Sequence, residues 1–253
     1  MEQKRSIQFP ATDKAEELVR WGLEAFHPQV ALACSFSLED VALIDMAVQV
    51  RPDARVFAID TGRLNEETYR CADEARKHFK IAVEWHFPKR EDVERLEREK
   101  GLYSFRESLE ARQECCRIRK VEPLARALQG LKAWITGLRQ EQSITRGALK
   151  AVDYDQVHGG IIKINPLVLW KSEQLWDYIR RRKLPYNRLY DRSYASIGCE
   201  PCTRAVAPGA EARSGRWWWE SPEHKECGLH VREPEKIATK PARARPGMHN
   251  SHK

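Results

Sequence analysis

Seven cysteines stand in the 253-residue sequence, and five of them are spaced for sulfur chemistry: Cys115-Cys116, Cys199-x-x-Cys202 and Cys227. Adjacent Cα atoms lie about 3.8 Å apart, short of the about 4.4–6.8 Å of an unstrained disulfide, so a bridge between Cys115 and Cys116 is the poorest reading. The four paired thiolates could hold zinc or an iron–sulfur cluster. Neighbouring cysteines on a single zinc ion would close a strained ring. A cubane offers each a separate iron, and geometry favours the cluster. A thioredoxin-like dithiol at Cys199-x-x-Cys202 should open a helix after a strand, whereas Pro201 sits within a loop flanked by glycine. Cys227 differs from these: it lies far from any apolar run, beside Gly228 and three residues before His230. A nearby imidazolium or guanidinium would raise its thiolate fraction, so nucleophile and bystander are both open readings. Cys34 and Cys71 fall in a strand and a helix and read as core.

The elements that must position these residues follow from apolar periodicity. A helix is expected from Asp13 to Phe26, with Asp13, Glu16 and Glu17 favouring its positive end. Val30–Cys34 reads as a buried strand, Ser35–Leu38 as a loop, and Glu39–Val50 as a helix stopped by Pro52. Arg55–Ile59 is a second strand with Asp60-Thr61-Gly62 as its exit turn, and Asn65 can cap a helix to Phe79. Ile81–Phe87 is a third strand, two or three helices fill Lys89 to Leu128, and Trp134–Thr136 is a fourth strand before a polar loop to Gly147. Ser172 can cap a helix with Leu175, Trp176 and Ile179 on one face. Beyond Lys183 the chain becomes loop-rich.

Strands that alternate with helices and read as continuous apolar runs predict a mostly parallel sheet with helices on both faces. Ligands of such sheets bind at the carboxyl ends of the strands, so Ser35–Asp40, Asp60–Leu64 and Gly137–Gln142 are expected to converge on one site. One α/β domain over residues 1–231 is expected, its C-terminal segment 205–231 a mobile extension, followed by a disordered tail over 232–253.

Composition narrows the function. The net charge is +7, of which the segment Arg232–Lys253 carries +4, so the folded body lacks the concentrated basic face of a nucleic-acid binder. No apolar run reaches the about 18 residues of a membrane span. The N-terminus lacks the apolar stretch of a secretory signal, so a cytoplasmic location is expected, where thiols stay reduced. Small anionic substrates suit the charge.

Taken together, Cys115-Cys116, the stretch Ile197–Arg204, the segment Arg213–Glu220 and Lys225–His230 resemble the assimilatory adenylyl-sulfate reductases, iron–sulfur members of the APS/PAPS reductase family. The resemblance spans about Val30 to His230. It implies an adenine nucleotide alpha hydrolase-like fold related to the PP-loop enzymes. It implies reduction of adenosine 5′-phosphosulfate to sulfite and AMP, a 4Fe-4S cluster on Cys115, Cys116, Cys199 and Cys202, and thioredoxin as reductant. Cys227, with His230 beside it, becomes the catalytic thiol: attack on the sulfonyl sulfur would leave an S-sulfocysteine that thioredoxin then clears. A terminal segment able to close over substrate and swing out for a protein partner suits both halves.

Lys120, one helical turn past Cys116, is expected to point from the cluster side to the substrate. Arg139, Arg146, Arg213 and Arg216 are the other expected cations, with Gln140 and Gln142 ordering their loop. Ser35–Asp40 resembles the pyrophosphate loop of ATP pyrophosphatases, but Phe36 and Ser37 replace its two glycines, so phosphosulfate should sit less deeply. Ser35 and Ser37 are expected to contact it, and Ile59, Asp60 and Gly62 to lie around the adenosine. Asp60-Thr61-Gly62 also matches the aspartic-protease triplet, yet a helix rather than a hairpin follows and no second copy exists. Trp217–Trp219 read as lid or interface packing. A PAPS reductase, a tRNA-thiolating PP-loop ATP pyrophosphatase carrying a cluster, and a non-enzymatic cluster or zinc module stay open as alternatives. A homo-oligomer is compatible with the sequence.

Overall fold

Val30–Cys34 forms β1 at the centre of the sheet, and its residues divide by parity as a doubly covered strand requires. Val30, Leu32 and Cys34 pack into the larger core with α1 (Ala15–Phe26), α2 (Leu38–Val50), α3 (Glu66–Phe79) and α7 (Ser172–Arg182). Ala31 faces the other way, joining Phe57 of β2 (Val56–Ile59) and Trp134 of β4 (Ala133–Ile135) against Leu124, Ala127 and Leu128 from α6 (Glu122–Ala127) and just beyond it. This computed structural model describes residues 7–142 and 146–221. Cys227, His230 and the basic tail expected to be disordered lie outside the described residues.

The sheet has six strands in the order β3-β2-β1-β4-β6-β5, where β3 is Val83–His86, β5 Val152–Asp155 and β6 Ile161–Ile164. Every pairing is parallel except β5 with β6. Sequence periodicity supplies four of these strands and misses the last two. Each has only four residues, β5 carries two aspartates, and Lys163 interrupts β6. The fold answers that lysine by placing Nζ 3.8 Å from Asp155 and 4.7 Å above the Trp134 ring.

α2 is buried from Leu38 to Ala47, including Glu39, Asp40 and Asp45. A helix enclosed this completely must answer each buried charge. The Tyr178 hydroxyl donates to Asp45 at 2.7 Å and Arg182 grips both its oxygens at 2.8 and 2.9 Å, fixing α7 to α2. Two expected caps act otherwise. Asn65 occupies the position before α3, but its amide donates to Gly198 O at 3.1 Å instead of closing the helix. Ser172 is the first residue inside α7, and its N–H and hydroxyl donate to Glu141 at 2.7 and 2.9 Å. The third strand is also shorter than the expected Ile81–Phe87. The described part of the C-terminal extension pairs back onto the preceding chain: Thr203 pairs with Arg216, and the Trp217 N–H donates to Cys202 O at 3.1 Å.

Candidate active site

The exit loops of β1, β2 and β4 meet around a cavity of about 670 Å³. Ser35–Asp40 forms one wall by turning tightly into α2. The Ser35 N–H and hydroxyl both donate to Asp40 Oδ2, at 2.6 and 2.7 Å. Burial pushes the Asp40 carboxyl up to about 6, against the opposing pull of those two hydrogen bonds. Phe36, at the place of a glycine in the resembled loop, still adopts the left-handed backbone glycine favours, with φ +59°. Its ring is buried and stacks on Trp85 at 5.7 Å, and this packing holds the strained turn. Gly137, leaving β4, has no room for a side chain: a Cβ there would lie 2.6 Å from Asp40 Oδ1.

Asp60-Thr61-Gly62 serves two neighbours. Ile59 and Thr61 line the cavity, whereas Asp60 and Gly62 are not among its lining residues. The Asp60 carboxylate is spent locally, accepting from the Gly62 N–H at 2.7 Å and the Tyr69 hydroxyl at 3.0 Å. Thr61 turns toward the cysteines, its hydroxyl 3.3 Å from Cys199 Sγ and its carbonyl accepting from Arg119 at 2.7 Å.

The four paired cysteines come together. Cys115 and Cys116 end α5 (Leu109–Cys116), Cys199 and Cys202 flank a short 3-10 turn, and all four pack with Phe105, Trp217 and Trp219. All are free thiols. Among the described residues no three His, Cys, Asp or Glu side chains converge on one ion position. The donor set nonetheless fits an anionic thiolate cluster. Arg119 Nε, Arg216 Nε and Trp217 Nε1 are buried around these cysteines with no acceptor among the described residues. Burial works to push the Cys199 thiol up, yet Lys120, the Thr61 hydroxyl and Arg216 overcome it and hold the thiol below its ordinary value. Cys202, with burial and Cys199 both acting against its ionisation, is pushed up to about 12. Fixed positive charge thus stands beside Cys199.

Lys120 reaches between the cysteines and the cavity by an irregular route. Arg117–Val121 is a π-helical turn, which shifts the helix face just past Cys116. It buries Lys120 against Cys199 and in the cavity wall, and sends Arg119 to Thr61 and Glu97. Arg139, Arg146, Arg213 and Arg216 also line the cavity, and all four are buried. They are not equivalent. Arg139 is enclosed by Glu39 and Glu141, each at 2.8 Å, with Trp170 O and Ser172 Oγ at 3.1 and 3.3 Å, so its charge builds the wall. Gln142 bridges the loop, accepting from Arg146 and donating to Glu39 at 3.0 Å, while Gln140 donates to Leu149 O. Arg216 donates to Ile197 O at 3.2 Å and passes so near Gly198 that a Cβ there would lie 2.2 Å from Nη2. Ser35 and Ser37 line the same cavity.

Sequence reasoning overlooked Thr61, Arg119 and Gly198. The Thr61 role could have been suspected from the Asp60-Thr61-Gly62 turn, whereas nothing in spacing distinguishes Gly198 from an ordinary loop glycine.

The family model described as the phosphoadenosine phosphosulfate reductase domain matches residues 29–205. The chain belongs to that family. Within it, the chain is 49% identical over 222 residues to 5′-adenylylsulfate reductase 3, chloroplastic, of Arabidopsis thaliana, covering 85% of this chain and 48% of the relative. The chain therefore spans about half the length of that plant reductase. It is 46% identical over 204 residues to the adenosine 5′-phosphosulfate reductase of Allochromatium vinosum, covering 81% and 79%. A crystal structure of phosphoadenylyl-sulfate reductase from Candida auris, a phosphate complex, superposes with a TM-score of 0.65 at 28% identity over 76% of this chain and 90% of that one. The mostly parallel sheet thus agrees with the fold of that reductase. No helix among the described residues is long and apolar enough to cross a membrane.

Proposed function

We propose that this protein reduces adenosine 5′-phosphosulfate to sulfite and AMP, drawing its electrons from a thioredoxin-type dithiol. The observation that carries this reading is a cavity at the strand ends walled by Lys120, Arg146, Arg213 and Arg216, on the side where four cysteines gather. Fixed buried cations favour a ligand whose sulfate and phosphate bear negative charge and whose leaving group gains more. The Cys227 thiolate, with His230 three residues on, attacks the sulfonyl sulfur; an S–S bond forms, the S–O bond to phosphate breaks, and AMP departs with the electron pair. A thiolate of the reductant then attacks Cys227 Sγ and expels sulfite. Its second thiol resolves the mixed disulfide, so the dithiol supplies both electrons.

Cys115, Cys116, Cys199 and Cys202 would hold a 4Fe-4S cluster, which would set geometry and field beside the substrate. Ser35 and Ser37 hold the phosphosulfate end, and Ile59 with the Asp60–Gly62 backbone borders the adenosine. Residues 1–231 act as one catalytic unit. The reduced cysteines suit a reducing compartment such as the cytoplasm. At equal low concentration, adenosine 5′-phosphosulfate should turn over at least about tenfold faster than its 3′-phosphorylated analogue, read as sulfite and nucleotide release. The reverse order would make the protein a PAPS reductase.

A further inference from the structure

We propose that Arg112 and Glu220 form a buried latch that holds the 213–220 segment, and with it two of the cavity's arginines, shut against the cysteine layer. Arg112 lies on α5 one turn before Cys116 and is 1% exposed. Its Nε–H donates to Glu220 Oε1 at 2.7 Å, its Nη1 lies 4.0 Å from Cys116 Sγ, and its guanidinium stands 4.6 Å above the Trp217 ring. That same ring carries Arg216 at 4.6 Å and Arg213 at 5.8 Å. One indole thus joins the anchoring cation to the two that line the cavity.

The segment is held in a conformation it would not choose alone. Trp217 has φ +39°, an unfavourable backbone for a bulky residue, and persists only because its surroundings fix it. Glu220 closes the turn through its N–H to Trp217 O at 2.8 Å, and its Oε2 is buried with no partner among the described residues. Arg112 is therefore the group that makes burial of this carboxylate tolerable. Without it, swinging the segment into water relieves an uncompensated buried charge. Arg112 acts through Trp217 and Glu220, so it is a positioning residue. Its consequence for turnover rests on the reductase reading, while the latch itself can be read without substrate.

Trypsin cleaves after arginine, and Arg213 and Arg216 are buried, so cleavage there reports opening of the segment. In the full-length, anaerobically purified protein, Arg112→Met and Glu220→Ala should each accelerate cleavage at Arg213 and Arg216 by about tenfold or more. The double variant should open no further than either single one, since both remove the same contact. Cleavage after Lys163, in β6, should keep the wild-type rate. In turnover, KM for adenosine 5′-phosphosulfate should rise about fivefold or more in each single variant as Arg213 and Arg216 leave the cavity. Unchanged cleavage at the two arginines overturns the latch. Equal acceleration at Lys163 also overturns it, by marking Arg112 as a general stability residue. An opened segment with unchanged KM overturns the claim that the latch places those arginines. If cleavage follows the expected pattern while wild-type protein makes no sulfite, the latch stands and the reductase reading falls.

Discussion

Gly198 and Asp40 show how much of the site depends on single atoms. Arg216 runs where a side chain at position 198 would be, and a Cβ there would lie 2.2 Å from its guanidinium. Gly198→Ala should therefore displace Arg216, raise KM about tenfold, and leave the melting temperature nearly unchanged; steady-state kinetics and thermal denaturation check both. Asp40 tests the electrostatics. Burial raises its carboxyl from the ordinary 3.8 to about 6 in the fold, so between those values the folded protein binds more protons than the unfolded chain. Stability contributed by this group is greatest below pH about 4 and is lost as pH rises through about 6, amounting to roughly 3 kcal/mol if the whole shift is expressed. Asp40→Asn keeps an oxygen for Ser35 and removes the titration. Its stability relative to wild type, from urea unfolding, should improve across that window and level off above it. A constant difference would contradict the burial argument.

At the scale of elements, the arginines of the cavity wall differ in how they are held. Arg139, held between Glu39 and Glu141, joins the exit of β4 to the starts of α2 and α7. Arg139→Met leaves Glu39 buried without its cation and should cost about 3–5 kcal/mol of unfolding free energy. Arg146→Met should cost about 1 kcal/mol or less, while raising KM about tenfold. Similar losses in both would mean that the two arginines share one role. This difference was invisible in the sequence, where both are arginines on one polar loop. What was legible came from burial: Val30–Cys34 and Val56–Ile59 are apolar throughout because helices cover both faces, and they point to the loops that build the site. β5 and β6 were hidden because Asp153, Asp155 and Lys163 break the apolar pattern; the fold answers the two aspartates locally, through Lys150, His158 and Lys163, and sets Lys163 over the Trp134 ring of the neighbouring strand. Asp60 was legible as a turn residue but not as one whose carboxylate Gly62 and Tyr69 consume. The π-helical turn after Cys116 has no sequence signature, although it sets where Arg119 and Lys120 point.

At the largest scale, the described residues form a mostly parallel sheet that delivers the exit loops of β1, β2 and β4 to one cavity, with a cysteine layer fastened beside them by the chain from Gly198 to Glu220. The paired cysteines make the layer's content measurable. Protein purified without oxygen should contain about four irons and four sulfides per chain, and stoichiometric zinc in their place would contradict the cluster. Cys199→Ser should lower iron content well below that of wild type, because it removes one of the four thiols that pack together in this layer. The central claim concerns a different sulfur, that of Cys227. Protein mixed with adenosine 5′-phosphosulfate in the absence of any dithiol, then digested and weighed by mass spectrometry, should show one added sulfonate, of about 80 Da, on the peptide containing Cys227. That mass should disappear on adding reduced thioredoxin, with sulfite released in equal amount. A fully metallated protein that turns over substrate yet never carries the adduct would contradict the account.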